Sequence, residues 1–136
     1  KPENVIFKDE SYKEVKLIDF GAVVKTAPLG SFMPEQYYRA PEIVLGIHYD
    51  HGVDMWSLGC IVYELITGKP LFPAHDENEL LEFFILTISR IPNPMLENAK
   101  KYKQFYVKKN DFFSFYQHEL IRSKESTNGE KIVESS

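Results

Sequence analysis

Cysteine is nearly missing from the chain: Cys60 stands alone among 136 residues, so no internal disulfide can form, as in proteins kept in a reducing compartment. Long apolar runs are missing too. None approaches the ~18–20 residues that cross a bilayer, and no signal-peptide pattern opens the chain. The expectation is a soluble, intracellular protein without a membrane partner. Cationic excess is also absent. A net charge of -4 gives no broad basic field and argues against direct nucleic-acid binding. No internal repeat recurs, and no sharp compositional shift marks a domain boundary. His48, His51, His75 and His118 lack metal-ligand spacing with carboxylates or cysteine, so they read as surface or structural residues.

What is present suits a packed domain or part of one. Hydrophobic residues make up 43% of the chain and charged residues 26%, and ten Phe and eight Tyr supply bulk for a core. "NVIF" and "EVKLIDF" are short β-branched runs parted by the polar "KDESYK", the pattern of a β-hairpin with a loose connection. From Gly21 to Arg39 the chain has Pro28, Gly30 and Pro34 and no clean period, so an irregular functional loop is expected there.

"VDMWSLGCIVYELITGK" is apolar on nearly every side and too short for a membrane, which predicts a buried central helix. Asp54 sits where its N-terminal cap belongs, Gly68 fits the C-terminal cap, and Pro70 prevents continuation. Asp76 with Glu79 forms a capping box for a second helix that runs to the stop at Pro92. "PNPMLENAKKYKQF" suggests one more short helix, and "DFFSFYQHELI" is compatible with either an extended or a helical segment. The Phe-rich stretch 105–116 reads as core or as a packing face, and the polar residues 122–136 as a mobile tail.

The chemistry lies in the order of four short motifs. Lys1-Pro2-Glu3-Asn4 leads into the first strand, and Asp19-Phe20-Gly21 ends the second. After the long loop come Ala40-Pro41-Glu42 and then Asp54-Met55-Trp56-Ser57-Leu58-Gly59. Asp-Phe-Gly alone is weak, because Asp-x-Gly is also turn chemistry. In this order the motifs resemble the C-terminal lobe of eukaryotic protein kinases, firmly over residues 1 to about 73 and less so beyond.

The resemblance implies an α+β, protein-kinase-like fold: a mostly helical C-terminal lobe with a short β-hairpin, so that residues 1–136 form a partial kinase domain. It implies ATP and Mg²⁺ as cofactors and a protein as substrate. Asp19 would chelate the metal bridging the phosphates, Asn4 would take the second, and Phe20 and Gly21 complete the triplet. Lys1 matches the lysine that compensates charge near the transferred phosphate. Ser31, Glu35, Gln36, Tyr38 and Arg39 fall in the activation and substrate loop. Glu42 and Trp56 are structural, and Asp54 matches the helix aspartate that hydrogen-bonds the catalytic-loop backbone. Outside this context Lys1 reads as a solvated terminus, Asn4 as a turn residue, Asp54 as a helix cap and Cys60 as core packing.

"QYYRAPEIVLGIHYDHGVDMWSLGCIVYELITGKPLFP" resembles the CMGC group and its DYRK branch. "DENELLEFFILTISRIPNPML" and the aromatic, then charged, stretch after it look most like the pre-mRNA-splicing Ser/Thr kinases of that branch. That likeness implies splicing proteins as substrates and the nucleus as the place of action. The pattern also places the catalytic Asp two residues before Lys1, with the glycine-rich loop, the ATP-anchoring lysine and the rest of the N-lobe further upstream. The 136 residues alone are therefore expected to transfer no phosphate and to be marginally stable.

Two positions depart from the group. Ser or Thr is usual where Glu35 stands, and Arg where Gln36 stands. A carboxylate at 35 can pair with Lys1, yet it puts like charge beside the catalytic aspartate and the phosphates. The activation tyrosine of the branch falls near Phe32, which has no hydroxyl, leaving Ser31 or Thr26 as acceptors. These departures keep a rival open, a degenerate kinase fold that serves as a binding scaffold, while the intact Asp19 and Asn4 favour an enzyme. A third alternative, an unrelated soluble domain, requires all four motifs to be accidental.

Overall fold

The computed structural model describes residues 1–22, 36–109 and 112–116. Ser31, Glu35, Thr26, Phe32 and the 122–136 tail lie outside those residues.

The expected hairpin forms. β1 (Val5–Phe7) and β2 (Val15–Leu17) pair antiparallel, with Val5 opposite Leu17 and Phe7 opposite Val15. The β-branched Val5, Ile6 and Val15 favour the pairing, and the Lys8–Glu14 ion pair and the Phe7–Tyr12 edge-on contact hold its far end. Only Val5 of this hairpin packs against the main core, and residues 6–21 are exposed.

α1 (Pro41–Val44) starts on a proline, whose missing N–H costs nothing at a helix start. α2 (Gly52–Thr67) is the long helix. Its cap differs from the sequence expectation: Asp50, not Asp54, takes the first free amide, with Gly52 N donating to Asp50 Oδ1 at 2.8 Å. Asp54 sits inside the first turn, where a carboxylate still suits the positive end of the helix. Gly68 closes the helix at φ 72°, a left-handed geometry that glycine adopts without steric cost.

α3 (Glu77–Thr87) opens on the predicted box. Glu79 N donates to Asp76 Oδ1 at 2.8 Å, while the Glu79 carboxylate accepts from His75 N at 2.6 Å, one residue further back than the usual reciprocal bond. α4 (Asn93–Glu97) and α5 (Tyr102–Phe105) divide the stretch in which a single short helix was expected. β3 (Tyr106–Lys109) and β4 (Phe112–Phe115) then pair antiparallel, so these parts of the Phe-rich stretch are extended. Phe105, Tyr106 and Phe115 are buried in the core.

That core gathers Leu45, Ile61, Phe72, Leu80, Leu81, Phe84 and Leu96 between the helices. Its centre is an aromatic trio. Trp56 stacks on Phe72 at 5.8 Å between ring centroids and meets Phe84 edge-on at 5.0 Å, and Phe72 and Phe84 meet at 4.9 Å.

The expectation that α2 is buried on all sides is corrected. Cys60 and Ile61 are buried and Trp56, Ser57 and Glu64 half-buried on one face. Met55, Leu58, Val62, Leu65 and Ile66 form an opposite stripe in which Met55 is 66% and Ile66 79% exposed. The physical reason is the supply of partners. Among the described residues, the 36–38 turn, Phe72 and α3 pack on one face of the helix only.

Candidate functional site

The hairpin sets the geometry of the first candidate cluster. Residues Pro2–Asn4 make a single 3-10 turn, closed by Asn4 N donating to Lys1 O at 3.0 Å. The β1–β2 register continues one pair beyond Val5: Ile18 N donates to Asn4 O at 2.9 Å. Asn4 therefore lies across from Ile18, and Asp19 is the next residue along. The two oxygen-bearing residues come from adjacent strand ends, although they stand fifteen positions apart in sequence.

Asp19 has φ 62°, the left-handed region that only a small fraction of non-glycine residues occupy, Asp and Asn more readily than others. Such a backbone, held at the end of a strand, often marks a functional position. Asp19 and Phe20 are exposed, Phe20 at 65%. A Cβ at Gly21 would stand at ordinary contact distance, 3.5 Å, from Asp19 Oδ1, so Gly21 flanks that carboxylate. An exposed carboxylate and an amide carbonyl carried on adjacent strand ends are oxygen donors of the hard kind that Mg²⁺ takes, with water completing the shell. These residues fit such an ion.

The second cluster is the segment just before α1. Gln36–Tyr38 form a 3-10 turn tied to the rest of the molecule by its own side chains. Gln36 Nε2 donates to Ala74 O at 3.0 Å. The Tyr38 hydroxyl donates to Glu64 Oε2 at 2.7 Å, and the Ser57 hydroxyl donates to Tyr38 O at 2.8 Å. The Arg39 guanidinium reaches Glu77 Oε1 at 3.4 Å. Tyr38 is thus packed inward, while Arg39 is half-buried.

The remaining sequence candidates have structural surroundings. Glu42 is half-buried and its backbone oxygen accepts from Ile47 N at 2.9 Å. Trp56 anchors the aromatic trio, and its Nε1 is buried with no hydrogen-bond partner among the described residues. Asp54 is exposed and lies in the first turn of α2. Burial pushes the Cys60 thiol up to about 11, which rules it out as a thiolate nucleophile near neutral pH.

Three residues escaped sequence reading: Glu64, Ser57 and Glu77. A signal for the first two existed. Ser57 and Glu64 are polar interruptions of an otherwise apolar helix, seven residues apart and therefore on one face. Both meet Tyr38.

Residues 1–128 match the Protein kinase domain family, and the chain belongs to that family. The match runs well past residue 73, so the whole described part falls within it. The chain is 43% identical over 114 residues to the "Probable dual specificity protein kinase YAK1 homolog" of Encephalitozoon cuniculi, covering 82% of this chain and 28% of that protein. It is 42% identical over 107 residues to the serine/threonine-protein kinase ppk15 of Schizosaccharomyces pombe, covering 78% and 20%. It is also 42% identical over 106 residues to the dual specificity tyrosine-phosphorylation-regulated kinase 3 of Mus musculus, covering 77% and 18%. The chain thus spans under a third of the length of these relatives.

Proposed function

We propose that this chain is the C-lobe portion of a protein Ser/Thr kinase of the DYRK branch, which transfers the γ-phosphate of ATP to protein hydroxyls. The observation that carries the reading is the register of the first hairpin, which brings Asn4 opposite Ile18 and places the left-handed Asp19 beside it. Family membership and relatives bearing DYRK and YAK1 names support it.

ATP-bound Mg²⁺, when present, supplies the charge neutralisation that phosphoryl transfer needs. Asp19 would hold the ion that bridges the phosphates and Asn4 a second one, each through a side-chain oxygen. Lys1 would set a positive charge near the transferred phosphate. Residues 36–39 would form the floor on which a protein substrate lies, with Arg39 fixed by Glu77 and Tyr38 by Glu64. Within the branch, the likeness of residues 76–96 to splicing kinases makes Ser/Thr hydroxyls of splicing proteins the substrate and the nucleus the setting.

A second reading, a kinase-fold scaffold without catalysis, is favoured by Glu35 and by Gln36. The amide of Gln36, at a position where the group usually carries Arg, is bound to Ala74 O. One experiment separates the two. Phosphotransfer from labelled ATP to a generic basic protein is measured with the product of the complete reading frame, wild type and Asp19→Asn. Catalysis predicts transfer that falls at least about a hundredfold in the variant, because a metal-holding carboxylate is lost. No transfer by the wild type under any divalent ion supports the scaffold.

A further inference from the structure

Glu77 joins three stretches of chain. Its Oε1 lies 3.4 Å from Arg39 Nη1, in the segment before α1, and 3.7 Å from Lys101 Nζ, in the turn before α5. Its own backbone begins α3. The side chain of Arg39 is 16% exposed and that of Glu77 25%, so water and salt screen the pair less than a surface contact. Nearby bonds act in the same direction: Gln36 Nε2 on Ala74 O, and Arg39 N on Gln36 O at 3.3 Å.

Kinases commonly order the loop that precedes this segment by phosphorylation, which creates new arginine–phosphate pairs. What the phosphate contributes is an anion fixed against a guanidinium. Here a carboxylate on the first residue of a capped helix already stands against Arg39. Neutral Gln36 adds a tether that needs no anion.

We propose that Glu77 is a positioning residue that serves as a built-in anion, holding Arg39 and through it residues 36–39 in their ordered place without a phosphate. The meaning of the device rests on the kinase reading, but its test does not, because no ATP and no turnover enter the measurement. Glu77 touches no reacting atom and acts through Arg39. Lys101 Nζ lies 3.7 Å from the same carboxylate oxygen that Arg39 reaches.

The test is amide hydrogen exchange on the whole chain, with intact mass confirming that no phosphate is present. The amides of Arg39, Ile43 and Val44, which donate to Gln36 O and Ala40 O, report on the segment. They are expected to be protected in the wild type and to exchange about fivefold faster in Glu77→Gln, the scale of one charge-assisted contact. The amides of Glu79 and Leu80, held by the Asp76 cap, are expected to stay within about twofold of wild type, which a general loosening of α3 would not allow. The charge swap Arg39→Glu with Glu77→Arg is expected to exchange more slowly than either single change. Added salt should speed the wild type more than Glu77→Gln. Absence of protection at Arg39 in the unphosphorylated wild type overturns the proposal, as does unchanged exchange in Glu77→Gln or equal loosening at Glu79 and Leu80.

Discussion

Tyr38 shows how far a single side chain can differ from its sequence role. It lies in the loop expected to face substrate, yet its ring is buried and its hydroxyl serves Glu64. Tyr38→Phe leaves a half-buried carboxylate short of a donor, and a loss of about 1–2 kcal/mol is expected from the urea-unfolding midpoint. Glu64→Gln in the same background should add less than it does alone, because the two residues share one bond. Cys60 makes a second residue-scale case. Its thiol has an ordinary value of 9.0 and burial raises it to about 11 in the folded chain. The unfolded chain therefore gives up that proton first. The associated stability is complete below pH 9 and is lost as pH rises toward about 11. Alkylation at pH 8.5 should be at least about tenfold slower in the native chain than in urea.

At the scale of elements, local signals were legible wherever the deciding contacts are local. The hairpin followed from two short β-branched runs parted by a polar stretch, the α3 start from Asp76 and Glu79, and the α2 stop from Gly68, each dependent on nearby residues. Asp76→Ala is expected to cost about 1 kcal/mol, and Gly68→Ala a similar amount because of its positive φ, both read from thermal melts. Phe84→Ala removes the centre of the aromatic trio and should cost about 3–5 kcal/mol. α2 starts three residues earlier than Asp54 at its cap implies, because Asp50 and Asp54 both satisfy the composition rule and only backbone geometry selects between them. The burial of α2 was misjudged for a different reason. An apolar circumference states what a helix can bury, while the elements packed beside it decide what it does bury.

For the whole molecule, that difference has a measurable consequence. The α2 stripe of Met55, Leu58, Val62, Leu65 and Ile66, together with Phe7, Leu17 and Phe20 of the hairpin region, leaves large apolar side chains in water. The isolated chain is expected to bind a hydrophobic dye in its native state, and Leu65→Glu with Ile66→Lys should reduce that binding without lowering the melting temperature. Dye binding indifferent to those changes would show the stripe to be covered in solution. The order of the motifs was enough to identify the fold family, because four short patterns in sequence carry information that no one of them holds. The tethers of residues 36–39 were not legible, since Glu64 and Glu77 lie 26 and 38 residues from the groups they hold.

The central proposal is that Asp19 and Asn4 hold divalent ions beside a nucleotide. Electron paramagnetic titration of Mn²⁺ into the product of the complete reading frame, with and without ATP, tests it directly. ATP-dependent tightening of Mn²⁺ binding is predicted for the wild type and for Asp9→Asn at the far end of the hairpin, and its loss for Asp19→Asn and for Asn4→Ala. Equal ATP-dependent binding in the wild type and Asp19→Asn would contradict the assignment.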